Sequence, residues 1–203
     1  MDLLRAEYEE RKNQIRQRLV DFAAVGRDQY FYELVYCLLT PQSSAVNAGR
    51  VVARLQEEDF LTSGRNPAEL LRRPEQYIRF HNTKARRLLE ARASYADVAA
   101  ALSNGRSTPE LREWLVKHVT GLGWKESSHF LRNIGHRDVA ILDRHIMKNL
   151  RSHNVLRVIP GTLTRAKYLA IEQKFARFAK HIGIPMDELD LLFWSRETGE
   201  VLK

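Results

Sequence analysis

Apolar residues return at spacings of three and four along almost the whole chain, as in Leu3, Leu4 and Tyr8, in Ile15, Leu19 and Phe22, and in Tyr30, Leu34 and Leu38. That period puts them on one face of a helix, and no long run alternates apolar with polar as a half-buried strand would. The pattern predicts an all-α protein, with helices at roughly 2–22, 28–39, 43–60, 67–72, 82–92, 94–102, 109–119, 125–134, 143–151, 164–181 and 185–194. Start signals sharpen several of these. Ser107 and Glu110 make a capping box with Pro109 in the first turn, Thr164 caps a helix whose inner face includes Leu169, Phe175 and Phe178, and Pro185 opens the last helix. No repeat or low-complexity segment interrupts the pattern, and the plausible linkers are the short stretches "NIGHRDVAI" and "NVLRVIPGT".

A chain of 203 residues is long enough to bury a core without disulfides or metal. Its 33 Lys+Arg against 25 Asp+Glu give a net charge of +8, which favours a polyanionic partner, nucleic acid first and an acidic membrane surface second. Cys37, the single cysteine, lies in the apolar run "ELVYCLLT". It can form no internal disulfide and reads as a small buried core residue in a reducing compartment. The charged, amphipathic start "MDLLRAEYEERKNQIRQRL" is no signal peptide, and no apolar run approaches the ~20 residues of a membrane span. The expectation is a cytoplasmic protein that does not engage a membrane. The histidines lack a compact His-x-x-x-His pattern, so no zinc site is expected. "HRD" at His136 to Asp138 matches a kinase catalytic loop in three letters only, because Asp143 stands where that loop needs asparagine.

The segment "TPELREWLVKHVTGLGWKESSHFLRNIG" reads as helix, Gly-Leu-Gly turn, helix. Gly121 and Gly123 permit positive φ and leave backbone N–H groups for a phosphate, and the second helix aims its first-turn N–H groups the same way. Such a hairpin grips a nucleic-acid backbone without reading sequence; it serves equally as a tight helix connection. Lys125 begins the second helix, and Asp143 caps the helix that follows in "VAILDRHIMKNL". Singly these are a solvated lysine and an N-cap. Together they allow an amine nucleophile whose proton a carboxylate accepts, the same carboxylate later stabilising positive charge on a sugar. A helix N-terminus disfavours an ammonium by only about 0.3–1 kcal/mol, whereas desolvation shifts lysines by up to ~3–5 pKa units. Burial is therefore the larger lever, with Trp124 and Phe130 as candidate walls.

In these residues the chain resembles the helix-hairpin-helix superfamily of DNA glycosylases, in which a catalytic lysine opens the second hairpin helix and a catalytic aspartate follows. The resemblance implies that Lys125 and Asp143 are catalytic and that Gly121 and Gly123 bind the DNA backbone. Upstream, "LLTPQSSAVNA" resembles the superfamily's "LLSAQ" element, whose glutamine fills the space left by an extruded base; this implies Gln42 as a DNA wedge. Members with an iron–sulfur cluster hold it on a set of cysteines near the C-terminus, so with Cys37 alone no such cluster and no other cofactor is expected. The hairpin carbonyls are a candidate seat for a monovalent cation. The compact length, "GLGWKE" and the end "LLFWSRETGEVLK" are similar to the type 2 8-oxoguanine DNA glycosylase/lyases. There a C-terminal lysine and a nearby aromatic help form the base pocket, here Lys203 and Trp194. Phe80 is a candidate for the opposite face, where two rings sandwich an extruded purine. Apart from the resemblance, Trp194 and Phe80 read equally as core and Lys203 as a chain end.

The implied fold has two packed helical subdomains with the active-site cleft between them, a composite one at about 1–26 with 135–203 and a central one at about 27–134. The implied activity is excision of 8-oxoguanine by base flipping and Schiff-base chemistry, followed by strand cleavage through β-elimination. The implied partner is double-stranded DNA containing 8-oxoguanine or abasic sites, bound by a monomer associated with the nucleoid. The basic runs "RRPEQYIRFHNTKARR" and "RAKYLAIEQKFARFAK" fit phosphate contacts as well as solvated faces. The same chemistry on oxidised pyrimidines, a noncatalytic helix-hairpin-helix DNA-binding module and an all-helical interaction protein stay open as alternatives.

Overall fold

Side-chain caps set where several helices begin. In a computed structural model of the chain, described over residues 2–199 and 201, Ser44 accepts from the Asn47 N–H at 3.3 Å at the head of α3 (Ala45–Glu57). The Ser107/Glu110 box closes on α8 (Thr108–His118), Glu110 accepting from the Ser107 N–H at 2.8 Å. Thr164 accepts from the Lys167 N–H at 3.4 Å before α11 (Arg165–Ile182). Each bond satisfies an N–H that a helix start leaves unpaired. The remaining α-helices are α1 (Asp2–Ala23), α2 (Tyr30–Leu39), α4 (Phe60–Ser63), α5 (Ala68–Arg72), α6 (His81–Ala93), α7 (Tyr95–Ser103), α9 (Trp124–Asn133), α10 (Arg144–Ser152) and α12 (Met186–Thr198). Among the described residues no strand forms, and none of the helices is long and apolar enough to cross a membrane.

Two expectations need correction. The single helix read over 43–60 is broken after Glu57, because Asp59 turns left-handed at φ 45° and α4 restarts at Phe60. The break brings Phe60 into the core, its ring stacked 6.0 Å from that of Phe31. The inner face of α11 is Tyr168, Ile171, Phe175, Ala179 and Ile182, so Leu169 and Phe178 lie at its half-buried margins. Tyr168 takes an inner position, its hydroxyl bonded to the buried backbone of Ala140 and Leu142.

The chain forms two compact units, Gly26–Phe130 and a composite of Met1–Val25 with Leu131–Lys203, so that the boundary falls within α9. In the first, α2 is buried on nearly every side through Phe31, Tyr32, Leu34, Val35, Tyr36, Cys37, Leu38 and Leu39, and it packs on α3 and α6. In the composite unit α12 packs on α1, α10 and α11, burying Leu189, Leu192 and Phe193 completely. Each such side chain contributes about 1.5–3 kcal/mol.

At the end of α9, Gly135 sits at φ 91° and the His136 N–H returns to the Leu131 carbonyl at 2.9 Å, which is the helix-closing pattern that a left-handed glycine permits. A Cβ on Gly135 would lie 2.9 Å from the Ala23 Cα. Gly135→Ala is expected to cost about 1–3 kcal/mol from backbone strain and this contact. Urea denaturation checks it, and an unchanged midpoint would contradict it.

Candidate active site

The hairpin turn between α8 and α9 depends on one glycine. Gly121 adopts φ 99°, and a Cβ there would lie 2.7 Å from Arg87 Cδ and 3.2 Å from Leu38 Cδ2. Gly123 needs no positive φ; its N–H donates to Glu126 Oε2 at 3.2 Å. Lys125 follows in the first turn of α9, its side chain 26% exposed and its Nζ 3.7 Å from Glu126 Oε1. One carboxylate thus engages both the turn and the lysine. Of the two expected walls, Phe130 is fully buried in the core, while half-buried Trp124 carries the Arg112 guanidinium 5.1 Å from its ring centroid.

Gln42 and Phe80 lie on two loops with the same backbone peculiarity. Gln42 is exposed at φ 55°, and Phe80 is 50% exposed at φ 60°. The left-handed region costs a residue with a Cβ roughly 1–2 kcal/mol, so neighbours must hold both. The Arg79 guanidinium lies 4.8 Å from the Phe80 ring centroid, and the Arg79 N–H donates to Ser43 Oγ at 3.0 Å. Asn47 Nδ2 donates to the Tyr77 carbonyl at 3.2 Å. Beneath them is Lys84, 2% exposed, donating to the carbonyls of Leu39 at 2.6 Å and Pro41 at 2.7 Å and to Ser43 Oγ at 3.0 Å. Burial, aided by the Arg87 and Lys125 cations, pushes the Lys84 ammonium down to about 8. Sequence reasoning overlooked Lys84, although a signal existed: it lies in helical register with Leu88 and Ala91 on the buried face of α6.

Asp143 does cap α10. Its Oδ1 accepts from the N–H groups of His145 at 2.8 Å and Ile146 at 2.9 Å, and its Oδ2 accepts from Trp194 Nε1 at 3.2 Å. Trp194 is accordingly a half-buried partner of the carboxylate rather than a core residue. Lys203 lies outside the described residues.

The chain leading to Asp143 has no helix of its own, and Val139 to Leu142 are buried. Side chains of α11 and α12 take its N–H groups: Asp187 Oδ1 accepts from Asp138 at 3.1 Å, Glu172 Oε1 from Ala140 at 2.8 Å, Asp190 Oδ2 from Ile141 at 3.2 Å. The Tyr168 hydroxyl accepts from the Leu142 N–H at 3.2 Å and donates to the Ala140 carbonyl at 2.6 Å. Desolvation raises the pKa of Asp190, and the Asp143 charge adds to the rise while Arg132, 3.3 Å away, opposes it. Asp187 is raised to about 6, again chiefly by burial. None of these anchors was singled out from sequence, since an acidic residue is by default solvated. Among the described residues no group of three or more His, Cys, Asp and Glu side chains is placed to hold a metal ion.

Comparison with known proteins gives a consistent result. A family model described as 8-oxoguanine DNA glycosylase matches residues 15–184. The chain is 37% identical to an 8-oxoguanine DNA glycosylase/AP lyase of Fusobacterium nucleatum, over 97% of this chain and 94% of that protein. It is 39% identical to the protein of that name from Korarchaeum cryptofilum, over 100% of this chain and 96% of the other. Among solved structures it superimposes with a TM-score of 0.87 at 33% identity, over 100% of both chains, on the Methanocaldococcus jannaschii 8-oxoguanine glycosylase/lyase in complex with 15mer DNA containing 8-oxoguanine.

The Asp187 carboxyl binds its proton at about 6 in the folded chain against 3.8 for the free group, so across that window the folded state holds more protons than the unfolded one. Its contribution to stability is therefore largest at acid pH and falls as pH rises through about 6. Asp187→Asn stays neutral throughout. In urea denaturation the stability of wild type minus that of Asp187→Asn is expected to fall by on the order of 2 kcal/mol from about pH 4 to 7; a pH-independent difference would contradict this.

Proposed function

This chain belongs to the 8-oxoguanine DNA glycosylase family, and we propose that it excises 8-oxoguanine from double-stranded DNA and then cleaves the strand at the abasic site. In this reading the damaged nucleotide turns out of the duplex and Gln42 takes its place in the stack. The neutral amine of Lys125 attacks the sugar C1′, the bond from C1′ to the base breaks, and Asp143 stabilises the positive charge that develops on the sugar. Sugar-ring opening leaves a Schiff base on Lys125, whose electron sink permits loss of a C2′ proton and β-elimination of the 3′ phosphate. Amine and carboxylate supply the nucleophile and the charge stabilisation, so the chemistry requires no metal or organic cofactor. Both belong to one chain, so a monomer suffices.

The observation that chiefly supports Lys125 is its place: the first turn of α9, mostly covered, directly after a turn that only Gly121 can make. Asp143 Oδ1 is committed to the cap while Oδ2 accepts from the Trp194 indole N–H, which suits a carboxylate that must be held fixed. If Trp194 stacks on the extruded base, that bond ties base recognition to the charge-stabilising group. Phe80 is the other proposed ring of the pocket, its exposure far above that of a core phenylalanine. Lys203 keeps the base-selecting role implied by the family resemblance. The hairpin backbone and the excess of positive charge hold the phosphates, with the Gly123 N–H becoming available once Glu126 releases it.

Borohydride added during turnover on an 8-oxoguanine duplex is expected to trap a covalent protein–DNA adduct that Lys125→Gln does not form. An adduct retained by that variant would remove Lys125 as nucleophile. Asp143→Asn keeps an oxygen for the N-cap but loses the charge. It is expected to bind DNA normally and excise the base at least about 100-fold more slowly; near-normal turnover would overturn the role of Asp143.

A further inference from the structure

We propose that Lys84 is a positioning residue for duplex opening: its buried ammonium, bonded to Leu39, Pro41 and Ser43, locks the Gln42 loop and the Phe80 turn together so that the wedge is in place when the base leaves. The inference rests on the reading of Gln42 and Phe80 given above.

The geometry is closed around the amine. An ammonium has three N–H donors and Lys84 has three acceptors within 3.0 Å, so none is spare and the group is no second nucleophile. Two of the acceptors, Pro41 and Ser43, flank Gln42 directly and so bracket the residue held at φ 55°. The Leu39 carbonyl belongs to the last turn of α2, where a cation complements the helix dipole. Ser43 Oγ then passes the restraint on, since it also accepts from the Arg79 N–H beside left-handed Phe80. One cation and one hydroxyl thereby restrain two residues that would each relax if free, and strained backbone held by its surroundings is a recurrent mark of a site that must be preorganised. Even with its pKa depressed to about 8, the amine keeps its third N–H at neutral pH.

A merely structural lysine would weaken every activity alike, whereas a positioning role separates steps that require a base to leave the stack from one that does not. The test compares wild type with Lys84→Met on a duplex carrying 8-oxoguanine and on the same duplex with a preformed abasic site. A 2-aminopurine beside the lesion reports loss of stacking. Lys84→Met is expected to slow excision about tenfold or more while abasic-site cleavage stays within about twofold, with a smaller 2-aminopurine rise than wild type. Equal loss on both substrates, or no loss on either, overturns the proposal. Should Lys84→Met fail to fold, Ser43→Ala removes the shared acceptor from a part-buried site, and the same selective loss, about threefold, is expected; parallel loss or none overturns the proposal there too. A wild-type protein that does not excise 8-oxoguanine would refute the underlying function instead, a failure visible before any variant is measured.

Discussion

Backbone buried outside a helix must find partners for its N–H and C=O groups, because each one left unpaired costs free energy comparable to a lost hydrogen bond. Two segments of this chain face that constraint and meet it with opposite charge. In the composite unit the stretch before Asp143 presents N–H groups, and Asp187, Glu172, Asp190 and the Tyr168 hydroxyl accept them. In the other unit the end of α2 and the stretch after it present carbonyls, and the Lys84 ammonium donates to those of Leu39 and Pro41. Desolvation acts on both sets of anchors, pushing the buried carboxyls up and the buried amine down.

In the proposed mechanism the chemistry inherits its geometry from these anchors. Asp143 emerges from the stitched segment with both oxygens engaged, so its carboxylate is held in place without deep burial. Lys125 gains its position differently, from the first turn of a helix whose entry is set by Gly121. The Gln42 loop is held by the carbonyl-capping amine, and Ser43 Oγ links the Phe80 turn to it through the Arg79 N–H. A catalytic group held by its supporting shell loses little freedom at the moment of reaction, which is the condition for electrostatic stabilisation to accelerate it.

What the sequence disclosed follows the same line between local and distant causes. The capping box at Ser107 and the cap at Thr164 were legible because their partners lie three residues away, and the hairpin glycine at position 121 because a positive φ is a demand of the turn itself. The break at Asp59 was not, since what favours it is the distant contact of Phe60 with Phe31. Lys125 and Asp143 were legible through their relation to helix starts and through the family resemblance. Lys84, Asp187 and Asp190 were not, because lysine and aspartate are ordinarily solvated and only packing far along the chain buries them. Their one trace is register: Lys84 occupies an apolar position of α6, and Asp187 and Asp190 lie among the buried residues of α12.

The central claim is that Lys125, and not buried Lys84, bonds to the sugar. Its most direct test is to digest the borohydride-reduced adduct formed with an 8-oxoguanine duplex and to map the attachment by tandem mass spectrometry. The expected result is a sugar remnant on the peptide that contains Gly123, Trp124 and Lys125, localised to the Lys125 side chain. A remnant on Lys84, or on any other residue, would contradict it.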